Sequence, residues 1–176
     1  MLEQNTLRRR GTGLIAADPA AASPGFTLFA PLTGTGQVYL VDLNGVSVHR
    51  WDLPYRPGRH ARILPGGNLA YNGTLPGGPA LFPMWHKYHG GVLYEVTPDG
   101  TIIREHRDDL HHHDAHHFGA GRILYTAVEP LTGAGARAIQ GGVPGSEAEG
   151  PISGGTVYAD VIKETGLGPQ RNRFGR

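Results

Sequence analysis

The sequence predicts an all-β fold, and three observations carry that expectation. Short runs rich in β-branched and aromatic residues alternate with clusters of Gly, Pro, Asn and Asp along the chain. No stretch sustains a helical period. A pair of hairpin patterns also recurs: Gly45 and Gly100 lie 55 residues apart, as do Tyr39 and Tyr94, while Gly67 and Gly121, and Leu69 and Ile123, lie 54 apart. One repeat then holds four short strands in about fifty residues, the size of a β-propeller blade. The expectation is a partial β-propeller of about two four-stranded blades plus fragments. Propellers close with about four to eight blades, so the chain is expected to be truncated, with uncovered blade edges that invite self-association.

Residues 1–24 are polar and then Ala/Pro-rich, and read as an irregular lead-in. Within them Gly11-Thr-Gly-Leu-Ile-Ala16 imitates a dinucleotide fingerprint, but no strand precedes it and Asp18-Pro19 stops a following helix. The partial propeller spans 25–164. Its first strand candidate is Phe26–Ala30, followed by 38–43 and 47–53 around Asn44-Gly45, the strongest short hairpin signal. A second hairpin joins 61–65 to 68–72 through Pro65-Gly-Gly-Asn68. Strands near 92–97, 101–106 and 122–127 repeat the pattern, while 130–152 is glycine-rich and expected to be irregular, like 1–10. Gly155–Glu164 resembles the opening of a third blade. It runs into a tail, 165–176, without the expected Asp-Gly turn and second strand.

Composition bounds the function. The 176 residues suffice for one domain with a real core. A net charge of +1 gives no electrostatic case for nucleic acid or an anionic membrane, and no stretch has the length of a membrane span. The absence of cysteine excludes disulfides and thiolate metal sites. Arg8-Arg9-Arg10 is followed by too short an apolar segment for a signal peptide, so the expected location is cytoplasmic.

The chemistry concentrates in His111-His112-His113-Asp114-Ala115-His116-His117, which holds five of the chain's ten histidines. Imidazole titrates near neutrality and serves as nucleophile, acid, base or ligand, and Asp114 is a carboxylate able to fix a neighbouring tautomer. The bland alternative is a polar loop, or packing histidines at a strand edge. His60, one repeat offset before Asp114, can line the same channel, with Arg59 and Arg62 beside it as anion contacts. His86-Lys87-Tyr88-His89 offers a His/Lys pair that can bind an anion; solvated loop histidines are the plainer reading. Asn72-Gly-Thr74 matches a glycosylation sequon without a secretory context.

Several stretches resemble the bacterial arylsulfotransferase family: Arg8–Ala16, Gly25–Pro31, Val38–Gly45, Val48–Trp51, Leu64–Asn68, Phe82–Trp85 and, most tellingly, His112-His113-Asp114 before a glycine-turn strand. The resemblance covers roughly residues 8–164. It implies a six-bladed propeller that moves a sulfuryl group from a phenolic sulfate donor to a phenol acceptor through a sulfohistidine, without a cofactor. Histidine suits such chemistry as nucleophile and as acid–base group. It implies catalytic roles for His112, His113 and Asp114, and substrate contacts from His60, His86 and His89. Asp114 would orient an imidazole, and His116 and His117 would face solvent. The family's nucleophilic histidine and active-site arginine belong to later blades, so this chain alone is expected to be inactive.

Two other classes fit the same residues. His111, His113, Asp114 and His116 supply nitrogen and oxygen donors for copper, zinc or nickel, making the chain a histidine-rich propeller metalloprotein. A non-catalytic propeller fragment is the third reading.

Overall fold

A computed structural model describes residues 14–18, 20–82, 84–119, 121–139 and 156–169. The lead-in segment 1–10 and residues 140–152, both expected to be irregular, lie outside them. Eleven strands and two short helices are described. The strands are β1 Thr27–Phe29, β2 Gln37–Val41, β3 Ser47–Asp52, β4 Pro57–Ile63, β5 Leu69–Thr74, β6 Gly91–Val96, β7 Ile102–Arg107, β8 His111–Phe118, β9 Arg122–Leu131, β10 Val157–Gly166 and β11 Gly168–Pro169. The helices are α1 Trp85–Tyr88 and α2 Gly133–Ala138. The chain is thus all-β in its described part, and no described helix is long and apolar enough to cross a membrane.

The propeller expectation is overturned. The strands form three open antiparallel sheets, ordered β1-β2-β3, β11-β7-β6-β5-β4 and β10-β9-β8, and none closes on itself. The 54–55 offset equates hairpins correctly spaced in sequence, but it does not determine which hairpins share a sheet. The first supposed blade, β2 to β5, is split: β2-β3 pairs with β1, whereas β5 pairs along its whole length with β6, Tyr71 opposite Tyr94. Both β5 and β6 are buried at every position. Burying such strands requires partners on both edges and both faces, and joining the two hairpins into one sheet supplies the edges.

Strand alternation then distributes side chains to two cores. Val92, Tyr94 and Val96 of β6 join Val38, Trp51, Leu69 and Tyr71 in one cluster. Leu93, pointing the other way, joins Ala115, Ile123, Tyr125 and Ala127 in a second cluster. The β1-β2-β3 sheet is pinned to the β6–β7 turn by Trp51 Nε1, which donates to Thr97 O at 3.1 Å, and by a 2.8 Å contact from His49 Nε2 to Pro98 O. The Asn44-Gly45 turn forms as read: Asp42 Oδ1 accepts from the N–H groups of Asn44 and Val46, and Gly45 takes φ 75°.

The segment 130–139, expected to be irregular, instead holds the end of β9 and all of α2. β9 is ten residues long because β10 pairs with it from Val157↔Leu131 to Gly166↔Arg122. Leu167 follows, buried, with its N–H on Gly121 O at 2.7 Å, and carries the chain across to pair β11 with β7.

Gly36 is the tightest backbone contact in the first sheet. It has φ +141°, and a Cβ there would lie 1.9 Å from Leu53 O. We expect Gly36→Ala to lower unfolding free energy by roughly 2–3 kcal/mol, from left-handed strain plus overlap with backbone that cannot yield. Urea denaturation monitored by Trp51 fluorescence reads this directly. A change under about 0.5 kcal/mol would show that the Gly36–Leu53 contact is not formed.

Candidate functional site

The histidine run is itself a strand, β8, and its ladder to β9 is interrupted. His111 pairs with Ala127 and Ala115 with Tyr125, so the intervening residues form a bulge. β4 carries the matching irregularity, between Pro57 and Ala61. Each bulge contains a non-glycine residue in the left-handed region: Arg59 at φ 101° and His113 at φ 54°. The two are separated by the same 54 residues as the hairpin repeat. Such conformations cost about 1–3 kcal/mol each and persist where surrounding contacts hold them.

The holding group is Asn72 on β5, fully buried. Its Oδ1 accepts from His60 N at 2.7 Å and its Nδ2 donates to His113 O at 2.8 Å. One carboxamide therefore satisfies a backbone donor in the β4 bulge and a backbone acceptor in the β8 bulge. Side chains at repeat-related positions meet across the same seam: His60 Nδ1 lies 3.0 Å from Asp114 Oδ1, and Arg62 Nη1 3.0 Å from His116 Nδ1.

The His113 ring is fixed from two sides. Its Nδ1 is hydrogen-bonded to His112 Nδ1 at 2.8 Å. Its ring stacks on Tyr88 of α1, centroids 5.1 Å apart. The Arg59 guanidinium sits 5.0 Å over the other partner in that stack, Tyr88, and donates to Lys87 O at 2.9 Å. His112 Nε2 lies 3.2 Å from Asp160 Oδ1 on β10. That distance gives electrostatic attraction, but the carboxylate is off the N–H direction and the contact is not a hydrogen bond.

Burial dominates the protonation of these rings. His113 is shifted below the usual imidazole range by partial burial, then by His112 and by the Arg59 charge. His60 is lowered by burial, against the opposing pull of Asp114. His111 is held down at about 4, chiefly by burial and secondly by His112. At neutral pH these three imidazoles are uncharged.

Of the residues singled out in the sequence, His112, His113, Asp114 and His60 come together at this seam. His89 follows α1; it is tied to His112 by an isolated β-bridge, and its ring stacks on Trp85. His86 is exposed on α1, its carbonyl 3.5 Å from Arg56 Nη2. His116 is exposed, but His117, expected to face solvent, is buried. The reason is that β8 runs on to Phe118, so Ala115, His116 and His117 alternate in, out and in. The sequence pointed to Arg59 only as an anion contact, and it gave no role to Tyr88, Asp160 or Asn72.

The metal expectation is not met. Among the described residues no three or more His, Asp or Glu side chains converge to hold an ion. The bulge explains this, since His111 turns into the core toward Gly91 N, His113 stacks on Tyr88 and His116 engages Arg62. The sulfuryl-transfer expectation fails on the same geometry: with the sheets open, no closed channel gathers the histidines around a sulfate position. No protein-family model matches the chain, and no curated protein matches it significantly. The arylsulfotransferase resemblance is therefore local to its motifs, and the chain is not placed in that family.

Proposed function

We propose that the β4–β8 seam is a general-base site, with His113 as the proton acceptor and Arg59 as the cation that stabilises the charge left behind. The observation that carries this reading is the 2.8 Å bond between the Nδ1 atoms of His112 and His113. One of the two nitrogens must donate and the other accept. Asp160, 3.2 Å from His112 Nε2, favours a proton on that nitrogen, which makes His112 Nδ1 the acceptor. His113 Nδ1 then carries its proton, and His113 Nε2 keeps a lone pair. A neutral imidazole beside a guanidinium suits a substrate with a weakly acidic O–H, or a water molecule activated for attack.

p-Nitrophenyl acetate serves as the probe. His113 Nε2 accepts a proton from water as its oxygen attacks the acetyl carbon; p-nitrophenolate leaves and acetate remains. We expect protein-dependent hydrolysis whose rate rises with pH through a midpoint below 6.5, because the base must be deprotonated and its pKa is lowered. His113→Asn removes the base while keeping a residue tolerant of the left-handed region, and the rate should fall about a hundredfold. Asp160→Asn should cost less, since it weakens a tautomer preference and leaves the base in place. Wild-type hydrolysis by the His113→Asn protein would refute the assignment.

A further inference from the structure

A pocket lies beyond the seam, between the β4–β5 and β8–β9 turns. It encloses about 350 Å³, within the usual range for small-molecule sites. Leu64, Pro65 and Phe118 give it an apolar wall, and Arg104 and Arg122 reach it from β7 and β9. At its base is His117, 7% exposed, with neither ring nitrogen hydrogen-bonded among the described residues. A buried imidazole normally finds partners, so two unsatisfied ring nitrogens lining a cavity mark a place where a ligand can supply them. The backbone makes room for the cations: Gly121, at φ +74°, passes 3.3–3.4 Å under the Arg104 side chain, measured from where a Cβ would stand.

The charge balance narrows the ligand. Arg104 is paired with Glu95, which is buried and also accepts from Asn68 at 2.7 Å. Arg122 is paired with Glu164, whose side chain is 46% exposed. The two guanidiniums are thus already offset by two carboxylates, and a dianion such as phosphate would leave the pocket negative. A monoanion can take the place of the exposed Glu164 on Arg122 without disturbing the buried pair. A guanidinium binds a carboxylate in a two-pronged fashion and has donors to spare beyond one contact. His117, neutral because burial depresses its pKa to about 4, offers one donor and one acceptor to a further polar group.

The geometry points to a binding site for a small monocarboxylic acid with an apolar or aromatic body, its carboxylate on Arg122, its body against Leu64, Pro65 and Phe118, and its second polar group on His117. This pocket is separate from the His113 base and does not depend on that reading.

The test uses 4-hydroxybenzoate, with histidine ring signals followed by NMR on the full chain. Saturable shifts of the His117 resonances are expected, with His113 signals little moved. Arg122→Gln should weaken binding tenfold or more. Gly119→Leu gives a second variant that does not touch the charge network: Gly119 is exposed, has open space around its Cβ direction and can fill the pocket mouth without a backbone clash. It should also weaken binding tenfold or more. Absence of saturable binding to the wild-type protein would overturn the proposal. So would shifts centred on His113, or binding undiminished by both substitutions.

Discussion

Replacing Asn72 by Leu should destabilise the protein by about 3–5 kcal/mol and abolish the seam. Leucine keeps asparagine's branching and heavy-atom count, so the fully buried site is not emptied, and its bulkier methyl groups add some overpacking. What changes is the hydrogen bonding. The bulge between Pro57 and Ala61 takes His60 N out of the β4–β5 ladder, and the bulge between His111 and Ala115 does the same to the β8 backbone around His113. Asn72 replaces both lost partners, at 2.7 and 2.8 Å. Removing it leaves a donor and an acceptor unsatisfied in partly buried positions, at about 1–3 kcal/mol each. The left-handed conformations of Arg59 and His113 then lose the contact that holds them. Urea unfolding measures the first effect. The second appears as loss of p-nitrophenyl acetate hydrolysis under conditions where the variant remains folded. Asn72→Asp separates the two bonds: it keeps the acceptor for His60 N and loses the donor to His113 O. A Leu variant within 1 kcal/mol of wild type would mean that the two bulges are held by something else.

That role for Asn72 shows where reading the sequence stopped. Periodicity and turn chemistry placed the hairpins: Asn44-Gly45, Pro65-Gly66-Gly67 and Asp99-Gly100 all lie between antiparallel strands. These are local properties, decided by a few neighbouring residues. Assembly of hairpins into sheets is a property of edges and faces, and the offset of 54–55 residues carried no information about it. The propeller expectation failed there, because β5 found its partner in β6 rather than in a separate blade. The candidate site was legible where composition exposed it. His60, His112, His113 and Asp114 do meet, and the offset that aligned His60 with Asp114 matches a direct 3.0 Å contact. In the sequence Asn72 reads only as part of a sequon, since its clamping of two bulges depends on strand register that only the folded chain displays. His116 and His117 are both expected in solvent because the sequence ends the histidine run's burial early, whereas β8 continues to Phe118 and strand alternation turns His117 inward.

Lowering the pH from 7 to 4.5 should remove several kcal/mol of stability, before most carboxylates have been protonated. The carriers are His111 and His117. Burial holds both near 4, well below the ordinary 6.5, with help from His112 for the first and His60 for the second. A depressed pKa in the folded state means that the unfolded chain takes up protons first. Stability is therefore fully present above about 6.5 and is lost as pH falls toward 4. For His111, which is fully enclosed, the shift corresponds to about 3 kcal/mol. His117 adds to this, and His60, His89 and His106, also lowered chiefly by burial, act in the same direction. Glu95 and Asp108 are held below the usual carboxylate range by hydrogen bonds and cationic partners that outweigh burial, so their contribution is lost only at the acid end of this window. The slope of unfolding free energy against pH counts the extra protons bound by the unfolded chain, and near pH 5 it should report about two or more. NMR titration of the ring protons assigns them: His111 should stay uncharged at pH 5, with its Nδ1 accepting from Gly91 N at 3.2 Å and its proton on Nε2. A stability profile flat between pH 7 and 5 would show that these imidazoles reach solvent and that the β8 strand is not packed as described.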